Sequence, residues 1–143
     1  MGTVQRHLHY LVDNGYLLHG SNKLHEILKP STGFCLSGLE ENLQVAVYAT
    51  ISPVIAIFNA IRNRKLGYTR YELINGNPYL EADEKIIKTL GNGYVYVLNN
   101  YQFKKSQIEE GQFSSFEEVI PFRIFEVCKY DLCYPISSKT FDI

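Results

Sequence analysis

The chain has 143 residues, of which 45% are hydrophobic and 20% charged, and its formal net charge is -1. That length suits one domain, residues 1–143, able to bury about two-thirds of its unfolded surface. A near-neutral charge excludes a strongly basic nucleic-acid-binding body, which needs clustered Lys and Arg, but leaves room for a nucleic-acid substrate gripped locally.

Thr3 is placed to cap a first helix reaching about Asn14, with Val4, Leu8 and Leu11 at helical spacing and Asn14-Gly15 as its stop. A strand follows over Tyr16 to His19. Asn22 to Lys29 carries Leu24, Ile27 and Leu28 and reads as a short helix or turn ended by Pro30. Ser31 to Asn42, with Gly33, Ser37 and Gly38, reads as a loop. Leu43 to Ala49 is rich in Val and Tyr and predicts a strand.

Ser52-Pro53 is a strong helix start, with serine at the N-cap and proline in the first turn. Val54, Ile57, Phe58 and Ile61 line one face, and the helix is expected to end at Gly67. Arg62, Arg64 and Lys65 would then sit in its last turns, where the dipole favours positive charge. Tyr68 to Leu73 predicts a strand and Asn75-Gly76-Asn77-Pro78 a turn. Glu84 to Leu90 fits a short strand or a short helix. Gly91-Asn92-Gly93 leads as a turn into the strand Tyr94 to Leu98, and Asn99-Asn100 turns the chain into Tyr101-Gln102-Phe103. Lys104 to Ser115 reads as an exposed polar loop. Val119 to Val127 is a last strand, interrupted at Pro121.

Cys35, Cys128 and Cys133 form no CxxC pair and read as free, mostly buried thiols of a reducing compartment. Adding His25 does not create paired zinc-ligand spacing, so no metal is expected. No apolar run approaches the roughly 18 residues that span a bilayer, and Met1 to Arg6 is polar with no signal-type stretch behind it. A cytoplasmic protein without a membrane partner is the expectation. Gly91-Asn92-Gly93 lacks the lysine of a phosphate loop and the third glycine of a dinucleotide fingerprint.

Three segments stand out together. His19-Gly20-Ser21 closes the apolar run Tyr16-Leu17-Leu18. Val45-Ala46-Val47-Tyr48-Ala49-Thr50 puts a tyrosine on a second strand. Phe116-Glu117-Glu118-Val119-Ile120-Pro121 offers glutamates at the opening of a third. In this order they resemble the His-Tyr-Glu signature of NAD-dependent ADP-ribosyltransferases, the branch of the poly(ADP-ribose) polymerases and the diphtheria-type toxins. The resemblance runs loosely from Tyr16 to Val127. It implies an α+β fold, with a mixed, mainly antiparallel split sheet and a few short helices.

The resemblance also implies roles. His19 would hydrogen-bond the adenosine ribose, while the backbone of Gly20 and the hydroxyl of Ser21 hold the nicotinamide carboxamide. A glycine there lets the backbone approach a ligand closely. Tyr48 would stack on one face of the nicotinamide and Phe58 on the other, the pyridinium adding cation-π character. Read alone, both are core aromatics. A carboxylate on the nicotinamide-ribose 2′-hydroxyl would tighten its hold as positive charge grows on C1. Glu117 and Glu118 compete for that place. Strand alternation would send them to opposite faces, and comparison with the His-Tyr-Glu branch favours Glu117. Arginine-modifying relatives favour Glu118, but they want a further glutamate where this chain has Phe116 or Ser115. The chain also has Ile55 or Ala56 near the place of the family's helix serine.

The reaction expected from the resemblance cleaves the nicotinamide–ribose bond of NAD and passes ADP-ribose to an unknown acceptor: protein, nucleic acid, small molecule or water. NAD is the substrate and no metal is required. The alternative is a catalytically inactive nucleotide-binding or interaction module on the same fold. Removal of an RNA 2′-phosphate gets little support from 14 Lys and Arg set against 15 Asp and Glu.

Overall fold

A computed structural model describes residues 2–32 and 45–139. The first helix, α1, is Thr3–Asp13; Leu8 and Leu11 bury its apolar stripe. Its N-cap is Gly2, so Thr3 is the first helical residue rather than the cap. Gly15 ends the turn at φ +94, a left-handed conformation that a side chain would strain.

The strands β1 (Leu17–Ser21), β2 (Ser31–Thr32), β3 (Val45–Thr50), β6 (Asn92–Leu98), β7 (Lys104–Lys105), β8 (Gln112–Ser115) and β9 (Arg123–Cys128) form one antiparallel sheet. Its order is β7-β8-β3-β1-β6-β9, with β2 attached to β3. A second sheet, β10-β5-β4, joins the hairpin of β4 (Thr69–Ile74) and β5 (Asn77–Ala82) to β10 (Ser137–Ser138), which runs parallel to β5. The molecule is thus a small α+β domain with mostly antiparallel sheets and few helices.

Helix α2 (Pro53–Ile61) lies between the sheets. Ser52 caps it, its Oγ accepting the N–H of Ile55 at 3.2 Å. Ala56, Ile57, Ala60 and Ile61 pack with Leu18, Val95 and Val97 of the large sheet and with α1. Val54, Ile55 and Phe58 pack with Leu80 and Ala82 of the small sheet and with Ile86 of α3 (Glu84–Lys88). A helix apolar all round belongs in an interior, which replaces the single apolar face expected from spacing. The far face of the large sheet is covered by Leu28, Val119 and Phe103, packed on Leu17, Val47, Ala49 and Tyr96.

Several boundaries differ from expectation. The helix α2 stops at Ile61, well before Gly67, because Arg62 turns extended. Its guanidinium enters the space between the Phe58 and Tyr71 rings, 5.8 and 5.4 Å from their centroids. Arg62 donates to Asn59 and Thr69, and burial pulls its pKa below the ordinary value. Arg64 and Lys65 therefore lie in a separate 3-10 turn, not in the helix's last turn.

Residues 22–29 form no helix, since of their three apolar side chains only Leu28 finds a surface to bury. Leu28 instead exchanges backbone hydrogen bonds with Val119, 2.9 Å each way. Asn75 and Gly76, both at positive φ, make the β4–β5 turn, and Asn77-Pro78 already belongs to β5. Asn92 and Gly93 are likewise strand, not turn. The expected loop 104–115 contains β7 and β8, and the last strand begins only at Arg123, after Pro121. Most of the 31–42 loop, the first two residues of the strand expected at 43–49, and Cys35 lie outside the described residues. Cys128 is a half-buried free thiol and Cys133 an exposed one, against the expected burial.

Candidate functional site

The three segments singled out in the sequence converge on neighbouring strands. β1 carries His19, β3 carries Tyr48, and β8 pairs with β3 on the other side and leads directly into Glu117 and Glu118. The ladders are unequal. β1 pairs with β6 at five positions, from Leu17↔Leu98 to Ser21↔Tyr94, but with β3 only at Leu18↔Thr50. Strand residues direct their backbone groups alternately to the two flanking strands. Among the described residues the β3-facing groups of His19, Gly20 and Ser21 therefore have no ladder partner on β3.

The His19 imidazole bridges this opening. Its Nδ1 lies 2.6 Å from the carbonyl oxygen of Tyr48. A carbonyl only accepts, so Nδ1 carries the hydrogen, and in the neutral ring Nε2 presents a lone pair. The residue is half-buried but its ring is closely packed. Desolvation, against the pull of the Tyr48 hydrogen bond, lowers its pKa below 6.5, and His25 adds a repulsive contribution. The ring is consequently neutral at pH 7 and able to accept a hydroxyl hydrogen.

Gly20 has a structural reason of its own. A Cβ there would meet the backbone of α2, 2.0 Å from the Ala56 oxygen and 2.9 Å from the Ala60 nitrogen. The close approach that this glycine permits on its α2 face is that of the helix. Gly93 on β6 does the same against the Ala60 oxygen at 1.8 Å. Ser21 uses its Oγ to accept the N–H of Lys23 at 3.2 Å. Asn22, which sequence reasoning missed, donates to the carbonyls of Ala60 and Arg62 at 2.7 and 3.1 Å, tying the end of β1 to the end of α2. Tyr96, also missed, is fully buried; its hydroxyl accepts from His25 N–H at 2.6 Å and donates to the Lys23 carbonyl at 2.8 Å. An Asn after a strand and a Tyr within one carry no local signal of such long-range bonds.

Alternation assigns the faces. Val47 and Ala49 point to the Leu28–Val119 side. Tyr48 therefore points to the α2 side, as do Leu18 and Gly20 on β1, and Gln112 and Ser114 on β8. Phe58 is not beside Tyr48. It is wholly buried between α2 and the small sheet, edge-on to Tyr71 at 6.4 Å. The expected stacking partner is thus a core side chain that would have to leave its cluster to reach a ligand.

Glu117 and Glu118 lie in an exposed bend after β8, not on a strand, so alternation does not sort them. Ser115 Oγ takes the Glu117 N–H at 3.2 Å, and the Glu118 carbonyl accepts from Gln102 at 3.0 Å. Neither carboxylate belongs to an ion pair among the described residues. The residue that opens the strand beside Tyr48 is Gln112, paired with Thr50.

Elsewhere, the buried acid Glu81 of β5 accepts from the Tyr79 hydroxyl at 2.5 Å and faces Lys139 at 3.7 Å, fastening β10 to the small sheet. The Tyr79 hydrogen bond holds its pKa below the ordinary value. A shallow hollow of about 360 Å³, lined by residues including Ile51, Lys105, Glu109 and Phe113, lies at the β7–β8 loop, beyond the far end of β3 from Val45. It shares no residue with the His19–Tyr48 opening. Among the described residues no group of three or more His, Cys, Asp or Glu side chains is arranged to hold a metal. Among the described residues no helix is long and apolar enough to cross a membrane. Comparison with family models, curated proteins and solved structures gave no significant match.

Proposed function

We propose that the protein is an NAD-dependent ADP-ribosyltransferase, cleaving the nicotinamide–ribose bond and passing ADP-ribose to an acceptor or to water. The observation that carries this reading is the interrupted ladder between β1 and β3, bridged by the hydrogen bond from His19 to Tyr48. A carboxamide has the donor and acceptor complement of a peptide group, so an unladdered strand edge at Gly20 is a fitting seat for nicotinamide. Tyr48 supplies a ring on the same side of the sheet as Gly20. The neutral His19 ring, on the opposite face beside Tyr96, supplies an acceptor for a ribose hydroxyl reaching over the strand edge. Glu117 or Glu118 would furnish the carboxylate that this chemistry needs.

A second reading has its own support. Neither glutamate lies on β8, and both are exposed in the bend beyond it. That favours a nucleotide-binding module that holds NAD without turning it over. Calorimetric titration with NAD, together with nicotinamide release by the wild type and by Glu117→Gln and Glu118→Gln, decides between them. Release lost in one variant supports the transferase. Binding without release supports the module, and absence of binding refutes both.

A further inference from the structure

We infer that β4 is an interaction surface on which a second copy of this chain docks, edge to edge and antiparallel, about a two-fold axis at Tyr71. The inference is independent of the NAD reading. β4 ends the small sheet, pairing with β5 on one side and, among the described residues, with no strand on the other. Its hairpin has a two-residue turn, Asn75-Gly76, so Ile74 and Asn77 share the first hydrogen-bonded pair of the ladder. Alternation then turns the backbone groups of Ile74, Glu72 and Arg70 towards β5, and those of Leu73, Tyr71 and Thr69 outwards. The far edge of β5 has the matching phase. Pro78, opposite Leu73, aims its carbonyl away from β4 and accepts from the Tyr134 hydroxyl at 2.6 Å. Ala82, opposite Thr69, likewise accepts from the Lys139 N–H at 2.9 Å.

Charge selects the occupant. Arg70 and Glu72 stand two residues apart on one face of β4, joined by a 2.7 Å salt bridge, with side chains 45% and 32% exposed. When identical strands meet antiparallel at a sheet edge, the two-fold axis stands perpendicular to the sheet and each face continues into the same face of the other copy. A residue then meets either itself or one an even number of positions away. Centring the pair on Tyr71 places Arg70 opposite Glu72 of the second copy, and Glu72 opposite its Arg70. These are non-hydrogen-bonded positions, where side chains come closest and Cα atoms are roughly 4.5 Å apart. The same register joins the outward groups of Tyr71 to Tyr71, and of Thr69 to Leu73, in about six backbone hydrogen bonds. Centring on Arg70 or on Glu72 would oppose like charges, and centring on Leu73 would set Glu72 against Ile74.

The other sheet edges lack this match. β7 and β10 are two residues long, and β7 carries only lysines. On β9, Arg123 and Glu126 are three positions apart, point to opposite faces and cannot meet across a two-fold axis.

Sedimentation over a concentration series, together with amide hydrogen exchange followed by NMR, tests the inference. The wild type is expected to dimerise as its concentration rises. Exchange at the Thr69, Tyr71 and Leu73 amides should slow with it, while the Arg70 and Glu72 amides, already bonded to β5, should not follow concentration. Arg70→Glu and Glu72→Arg each turn two attractive pairs into repulsive ones and should weaken dimerisation roughly tenfold. The double reversal, Arg70→Glu with Glu72→Arg, should restore it to near the wild-type value, and thermal midpoints check the fold of each variant. Where a single reversal fails to fold, the exchange pattern of the wild type decides. A chain that stays monomeric at millimolar concentration overturns the inference. So does a dimer that leaves exchange at Tyr71 and Leu73 unchanged, or a folded double reversal that dimerises no better than the single ones.

Discussion

Gly20→Ala tests whether the glycine of the His-Gly-Ser segment serves the fold or only a ligand. The added methyl would sit 2.0 Å from the Ala56 oxygen, against an ordinary contact beyond 3.4 Å. The atoms it meets are helix backbone, which cannot swing aside as a side chain would. Relief requires α2 to lift by more than 1 Å from β1, and α2 is packed on both sheets. Overpacking a core typically costs about 1–3 kcal/mol, occasionally more. The stiffness of the neighbour places this case at the upper end. The alanine also restricts the unfolded chain, which returns roughly 0.4–1 kcal/mol. The net loss is about 2 kcal/mol, or roughly a thirtyfold drop in the folding equilibrium.

Urea titration should show a midpoint about 1 M lower with an unchanged slope. Gly91→Ala is the control, because a Cβ there meets nothing within 4 Å, and it should be neutral or slightly stabilising. Gly93→Ala should destabilise like Gly20→Ala, since its Cβ would fall 1.8 Å from the Ala60 oxygen one turn further along the same helix. The double variant should lose less than the sum of the two, because once α2 has lifted for one methyl the second meets less resistance. Wild-type stability in Gly20→Ala would refute the packing argument and return this glycine to a purely ligand-facing role.

Three further outcomes follow from the geometry. Ser52→Ala removes the N-cap of α2 and should cost about 1 kcal/mol in a denaturant midpoint. Tyr96→Phe deletes the hydroxyl that holds Lys23 and His25; it should cost about 1–2 kcal/mol and speed hydrogen exchange at the His25 amide, measured by NMR. The lowered pKa of His19 means the unfolded chain binds protons more readily than the folded one. Its contribution is complete above pH 6.5 and is lost as pH falls through the folded value, so urea midpoints should decline on the acid side of 6.5 and decline less in His19→Gln.

The elements with strong local punctuation were legible in the sequence. Asn14-Gly15 and Ser52-Pro53 mark the end of α1 and the start of α2 because left-handed glycine and a capped proline turn are local conditions. Tyr94 to Leu98 and Tyr68 to Leu73 declared themselves by composition. The end of α2 was not legible, because what stops it is the contact of Arg62 with Phe58 and Tyr71, and Tyr71 is nine residues downstream. β8 was missed for a related reason. Gln112-Phe113-Ser114-Ser115 has one large apolar side chain, and its strand character comes from pairing with β3, more than sixty residues away in sequence.

That miss determined how the candidate site was read. A polar 104–115 predicts a loop and starts the third strand later, which puts Glu117 and Glu118 at its expected opening. Once β8 is the strand beside Tyr48, register governs: Ser114 lies opposite Tyr48 and Gln112 opposite Thr50, while the glutamates fall past the last pair, Val47↔Ser115. His19 and Tyr48 do lie on neighbouring strands, β1 and β3, but alternation turns His19 to the Leu28–Val119 side with Tyr96 and Tyr48 to the α2 side. The acid's placement depended on a strand boundary that the sequence does not mark. On the proposed reading, the same register separates stability from recognition on one short segment. The missing side chain of Gly20 admits α2 from one face, while the strand edge beside it is left without a ladder partner on β3. Substitutions that add bulk at Gly20 should therefore act first on the fold. Substitutions at Tyr48, half-buried on β3, should act first on the proposed NAD binding.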